Sequence, residues 1–348
     1  RVYRKAPKND TFARTIRFMT DAPAPKSSWP GRLLWLVLLA VLLVWALQNA
    51  PLVEIWDSLR LLRPWQLGAL LALNAVIFAL ITARWWLIVR AEARAVPFLP
   101  LVAYRLAAFG MSYFTPGPQV GGEPLQILYL KNAYGLTAVR ATAAVIMDKL
   151  LEFLANFLFL AIGLFAVAGS GMLGGFAPPA WIAAPVGLLL LWPLLHIGLL
   201  YQRRHPLSAL LKPLHKFLSG RKKFTALATL LRLVIVSEHL AALFCRRHIG
   251  ALLAALGVSL LSWAGMALEY HWMLTFLSAD LTLLETLAAL TVVRLSFLAP
   301  LPAGLGALEA SQVFAATAFG LPAAFGISLA LLMRGRDILL GGLGLLIA

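Results

Sequence analysis

Apolar positions in this chain fall into long unbroken runs, at residues 33–48, 65–89, 136–168, 181–200, 249–277 and 321–348. Most reach or approach the ~20 residues a helix needs to cross a bilayer. No stretch shows the ten-residue alternation of a membrane barrel strand. Two further apolar regions, 98–131 and 281–320, are interrupted by Pro and Gly. Residues 224–244 keep a helical period but hold Arg232, Glu238 and His239, which predicts an amphipathic helix at the membrane interface. The pattern predicts an all-α polytopic integral membrane protein, with about six full spans and two re-entrant helical hairpins.

Composition agrees with that class. Of 348 residues, 61% are hydrophobic and 13% charged, against about 25% charged in soluble domains. The net charge of +16 raises the question of nucleic acid. Its placement argues for membrane topology instead. Residues 1–32 hold eight basic and two acidic side chains, and a second basic run spans 203–223, both beside apolar spans. This is a positive-inside pattern with attraction to anionic headgroups. Residues 1–32 read as a basic cytoplasmic arm and 33–348 as one transmembrane domain, whose segment 201–247 combines the basic loop and the amphipathic helix. The first residues do not read as a cleavable signal peptide, and whether a segment precedes Arg1 stays open. The lone Cys245 excludes an internal disulfide. No P-loop, HExxH or GxSxG motif occurs, so neither a nucleotide cofactor nor a metal is expected.

Parity shapes the first Pro/Gly break. The N-terminal arm, the Arg90/Arg94 loop and the 203–223 loop are the strongly basic ones and belong on the cytoplasmic side. The 98–131 segment must then enter and leave on one side: a half helix in, a turn at 115–124 with Pro116, Gly117, Gly121 and Gly122, and a half helix back. Proline lacks an amide donor and glycine adds backbone freedom. An ordinary helix kinked at proline stays open if 224–244 crosses fully.

The break recurs. Arg105 precedes Pro116, and Glu123 lies seven residues after that proline; Arg294 precedes Pro302, with Gly304 in the second turn, and Glu309 lies seven residues after that proline. A Gly-Leu pair follows each glutamate, Gly135-Leu136 and Gly320-Leu321. Each copy then runs into a long apolar helix with internal charges: Asp148, Lys149 and Glu152 in one, Arg334, Arg336 and Asp337 in the other. The series predicts a duplication with halves at about 98–169 and 284–348. Span counting inverts the second half, a common build of secondary transporters.

Charges inside spanning helices are costly and mark candidate sites. Asp148 with Glu152, and Arg334 with Asp337, each share a helix face. The two groups are expected to approach each other across the repeat interface and bind a headgroup or shuttle a proton; snorkelling from helix ends is the alternative. Glu123 and Glu309 either cap half helices or line a cavity. Arg105 and Arg294 either pair with the glutamate of their own hairpin or fork onto a lipid phosphate. The substrate-binding candidates are thus Arg105, Glu123, Asp148, Lys149, Glu152, Arg294, Glu309, Arg334 and Asp337, with Arg84 and Glu269 behind them.

The run Thr115-Pro-Gly followed by Gly121-Gly122-Glu123-Pro124, with the later Pro-x-Gly-x-Gly-x-x-Glu at 302–309, resembles the lysylphosphatidylglycerol synthase/flippase transmembrane family over nearly the whole chain. Pro118-Gln119 departs from the usual first motif, where a basic residue is common. The resemblance implies a module that moves lipids between leaflets, here the translocase half without the soluble aminoacyl-transferase half, in a bacterial cytoplasmic (inner) membrane. The expected function is a flippase for an anionic or zwitterionic phospholipid or glycolipid, without its own ATPase. An intramembrane transferase acting on a lipid-linked substrate is the alternative. A partner lipid synthase and a homo-oligomer stay open.

Overall fold

The computed structural model describes residues 60, 62–92, 96–114, 121–174, 180–219, 225–298, 304 and 306–347. The expected first span at 33–48 and the basic arm lie outside them, as do Pro116, Gly117 and Pro302. The described residues form eleven helices and no strand. In chain order they are α1 Pro64–Glu92, α2 Phe98–Phe114, α3 Glu123–Tyr134, α4 Ala138–Gly169, α5 Ala180–Tyr201, α6 Pro206–Ser219, α7 Thr225–Arg247, α8 Ile249–Phe276, α9 Leu283–Ser296, α10 Ala307–Ala318 and α11 Ala323–Ile347.

Among the described residues, five helices are long and apolar enough to cross a bilayer: α1, α4, α5, α7 and α8. Helix α11 has the length, at 25 residues, but carries Arg334, Arg336 and Asp337 in its middle. Helices α2, α3, α9 and α10 have 17, 12, 14 and 12 residues, below the ~20 of a full span. The apolar regions 98–131 and 281–320 are therefore each a pair of short helices around a break. The basic loop expected at 201–223 is corrected: most of it is helix α6. Its leucines recur at helical spacing, and the basic residues between them hid that period.

Helix α1 packs against α8, α2 against α11, and α4 against α9. Within the halves, α3 packs on α4 and α10 on α11, α2 on α3 and α9 on α10, α1 on α2 and α8 on α9. Exchanging α1–α4 for α8–α11 leaves this set of neighbours unchanged. The matching set of neighbours includes α1 and α8, which lie outside the motif-bearing segments 98–169 and 284–348. Partners along α1 and α8 run in opposite senses: Trp65 meets Phe276, Asn74 meets Glu269, and Ile77 faces Gly265. The two equivalent helices are antiparallel.

Small residues permit the closest crossings. A methyl group on Gly163 of α4 would overlap Thr291 of α9, and one on Gly344 of α11 would overlap the Leu106 backbone of α2. The recurring Gly-Leu pairs also acquire a reason. Gly135 (φ 63°) and Gly320 (φ 74°) end α3 and α10 in the left-handed region, which glycine adopts without a Cβ penalty. The next amide closes each end: Leu136 N donates to Leu130 O and Leu321 N to Ala316 O.

Two large apolar cores form among the described residues, beside a small third one at Phe157, Leu160 and Val186. One joins α1, α4, α7 and the start of α8 through Trp85, Ile88, Met147, Leu151, Phe244 and Ala255. The other joins the end of α8 to α9, α10 and α11 through Met273, Leu290, Leu308 and Leu329. Helix α7 runs alongside the first turns of α4 in the same sense, with Ser237 donating to Val139 O and Cys245 beside Met147.

Candidate functional site

The helices α1–α4 and α8–α11 each hold one network of buried charge. In the first, α1 supplies Arg84, α2 supplies Arg105, α3 supplies Glu123, and α4 supplies Asp148, Lys149 and Glu152. Arg84 Nε lies 2.7 Å from Asp148 Oδ1 and its Nη2 2.8 Å from Glu152 Oε2. Arg105 approaches the same two carboxylates, at 2.7 Å from Asp148 Oδ2 and 3.3 Å from Glu152 Oε2. Lys149 Nζ bridges Glu123 at 3.0 Å and Glu152 at 3.1 Å. Three cations meet three anions, and Asp148, with no exposure, gives one oxygen to each arginine. Low dielectric strengthens these contacts and makes any unpaired member expensive.

The second network lies between α8, α10 and α11. Arg334 forks onto Glu309, with Nη2 3.0 Å from Oε2, and also reaches the Gly304 carbonyl at 3.3 Å. The Tyr113 hydroxyl, from the first half, hydrogen-bonds Arg334 as well. Arg336 donates through Nη1 to both Glu269 oxygens at 2.8 Å and pairs with Asp337 at 2.8 Å. Glu269 also accepts from Asn74 Nδ2 of α1 at 2.5 Å.

Both glutamates at the half-helix starts have two partners. Glu123 Oε2 accepts from Gly121 N at 2.8 Å, and Glu309 Oε2 from Gly306 N at 2.9 Å. Their other contacts go to the cation of the following long helix. Capping and charge pairing coexist because a carboxylate has two oxygens.

Of the two alternatives for the arginines, pairing with the glutamate of their own hairpin is not what the described residues show. Arg105 pairs with Asp148 and Glu152, and not with Glu123 of its own hairpin. Arg294 pairs with no carboxylate among the described residues. Its Nη2 points at Met266 Sδ at 3.1 Å, its guanidinium lies 4.9 Å from the centre of the Trp263 ring, and its Nε is sealed from solvent without a hydrogen-bond partner. Trp263 in turn stacks on Phe159 of α4. One of Arg105's two carboxylates has no counterpart in the second series. Counting back one residue from the cation that meets the hairpin glutamate gives Asp148 before Lys149, but Met333 before Arg334.

The expected meeting of the two charge groups does not occur: no ion pair among the described residues joins the networks. Arg84 and Asn74 mark their levels on α1, roughly 15 Å apart at 1.5 Å per residue. The sequence alone ranks Arg84 and Glu269 behind the other candidates, yet each anchors a network. Their place one helix upstream of each hairpin is the signal available. Asn74 and Tyr113 escape a search for buried charge because they carry none.

Taken together, the helices and buried ion networks define a polytopic helical membrane protein. The chain belongs to the lysylphosphatidylglycerol synthase TM region family, whose model matches residues 32–344. No curated protein and no solved structure matches the chain. Family and apolar helices together make this an integral membrane protein that acts in the sphere of membrane lipids.

Proposed function

We propose that the protein is a lipid translocase that moves an anionic or zwitterionic lipid between leaflets. The carrying observation is Arg294: a guanidinium inside the helical bundle, stacked on Trp263, with a donor left open. A buried cation without an acceptor is costly, and a lipid phosphate or carboxylate would complete it by a forked contact. The neutralised Arg105 is then the structural copy and Arg294 the substrate-binding one.

The duplicated core supports the same reading. Equivalent helices α1 and α8 pack antiparallel, so an axis relating the halves lies across the helices. In a membrane this is the inverted repeat of a transporter. The short pairs α2–α3 and α9–α10 are then re-entrant hairpins, opening to opposite sides. Helix α7, though long and apolar, keeps to the first turns of α4 and does not add a crossing, consistent with an antiparallel α1 and α8. Lys149, Glu123 and Glu152, all partly exposed, and the Arg334–Glu309 pair line the hairpins. The two networks are the gates through which a headgroup passes, while acyl chains remain in lipid.

The test is lipid scrambling in proteoliposomes with headgroup-labelled lipids, comparing wild type with Arg294→Gln, and with mass spectrometry of the lipid. Translocation predicts dithionite quenching beyond half in wild type, unaltered lipid mass, and loss in Arg294→Gln. A new lipid mass would instead identify a transferase.

A further inference from the structure

Helix α6 has three distinct sides. At 100° per residue, Ser208, Leu211, His215 and Leu218 share one side, Leu210, Leu214 and Phe217 a second, and Lys212 and Lys216 a third, with roughly 100–150° between neighbouring sides. The first side docks on α7. Ser208 and Leu218 are buried, Ser208 Oγ donates to Ile235 O, and the fully buried Glu238 carboxylate accepts from Leu207 N and Ser208 N at 2.8 and 2.5 Å. That carboxylate occupies the positive end of α6 and bolts it to α7. The second side faces outward: Leu210 is 74%, Phe217 58% and Leu214 45% exposed. The lysines of the third side are exposed, as are Arg203 and Arg204 just before the helix.

We propose that α6 is an anionic-lipid contact lying in the plane of the membrane interface. Leu210, Leu214 and Phe217 enter the acyl boundary, and Lys212, Lys216, Arg203 and Arg204 meet headgroup phosphates. The occupant is the lipid surface rather than a second protein for two reasons. The outward apolar stripe continues a helix, α5, whose own exposed residues (Leu188, Leu191, Trp192, Leu195 and Tyr201) form an apolar belt ending in an aromatic at the turn into α6. The charges bordering the stripe are all basic, as they are on helices that lie in the interface plane of anionic membranes. Pro213 leaves the Ala209 carbonyl without its intrahelical donor. Both residues are exposed, so water at the interface can satisfy that carbonyl.

The experiment uses the full chain in vesicles and does not depend on translocation. In a Cys245→Ser background, single nitroxide labels at Leu214→Cys, Phe217→Cys and Lys212→Cys are compared for collision with oxygen and with a water-soluble nickel chelate. The vesicles are phosphatidylcholine, with or without phosphatidylglycerol. The expected result is a several-fold higher oxygen-to-nickel ratio at 214 and 217 than at 212, rising further with phosphatidylglycerol. A Lys212→Glu/Lys216→Glu variant should lose that rise. Equal ratios at the three positions would overturn the interfacial placement. Poor access to both reagents at 214 and 217 would mean protein cover and would overturn it too. Indifference to phosphatidylglycerol would overturn the anionic choice.

Discussion

Lys149 reaches from the middle of α4 to Glu123 at the first turn of α3, with Nζ 3.0 Å from Oε1. Arg334 and Glu309 repeat the arrangement in the second half. Each pair ties a long helix to the short helix before it. A double-mutant cycle with Glu123→Gln and Lys149→Met should therefore return a coupling of about 0.5–3 kcal/mol in detergent unfolding. Additive losses would mean the contact carries no energy.

Asp148 and Glu152 face the same arginines but differ in burial. Asp148→Asn leaves Arg84 and Arg105 short of an anion where water cannot reach, and the expected loss is about 3–5 kcal/mol. In practice the variant should fail to accumulate as folded protein. Glu152, about a third exposed at 34%, keeps access to solvent, so Glu152→Gln should cost clearly less. Size-exclusion profiles and melting temperatures of the two variants decide the order.

Arg294 predicts the opposite behaviour from its repeat partner. Arg105→Gln breaks two ion pairs and should lower the melting temperature. Arg294→Gln removes a buried cation that meets no carboxylate among the described residues, at the cost of the Trp263 stacking, about 0.5–2 kcal/mol. Its melting temperature should stay near wild type. A fall as large as that of Arg105→Gln would show that Arg294 has a structural acceptor.

Glycine spacing makes a packing prediction. Gly163→Ala and Gly344→Ala each push a methyl group into the facing helix, at Thr291 and Leu106. Each should destabilise by about 1–3 kcal/mol through overpacking. Gly187→Ala, with open space around the same added methyl, serves as the control and should be neutral.

His205, in the segment joining α5 to α6, stacks on His239 at 3.8 Å. Burial, then the His239 imidazole and Lys212, hold its pKa below the ordinary 6.5, against an opposing pull from Glu238. The folded state therefore binds fewer protons than the unfolded chain just below that value. Stability is present above about pH 6.5 and is lost as pH falls through the depressed folded value. Limited proteolysis at the 201–224 segment should accelerate on acidification, and His205→Gln should flatten that dependence.

Much of the helix inventory was legible beforehand because hydrophobic period and Pro/Gly breaks are local. The expected spans at 65–89, 136–168, 181–200 and 249–277 reappear as α1, α4, α5 and α8 within a few residues. The glutamate caps and the Gly-Leu helix ends were visible as an ordered repeat. Helix α6 was missed because its basic side masked its leucine stripe. The partners of Arg105 were missed because a guanidinium reaches across helices, and the carboxylates it meets, Asp148 and Glu152, lie farther along the chain than the hairpin's own Glu123.

The sequence by itself determined that the chain is helical and lies in a membrane, that its apolar pattern is interrupted twice by proline and glycine, and which charges fall within apolar helices. Those follow from the short-range costs of exposing apolar groups and of placing proline or charge in a helix. Only the tertiary structure decided which charges neutralise one another. It set Arg84 and Arg105 against Asp148 and Glu152, and Arg336 against Glu269. It left Arg294 without a carboxylate partner among the described residues, beside Met266 and Trp263. Pairing energy depends on distance and burial, and both are fixed by how helices cross, not by how residues follow one another.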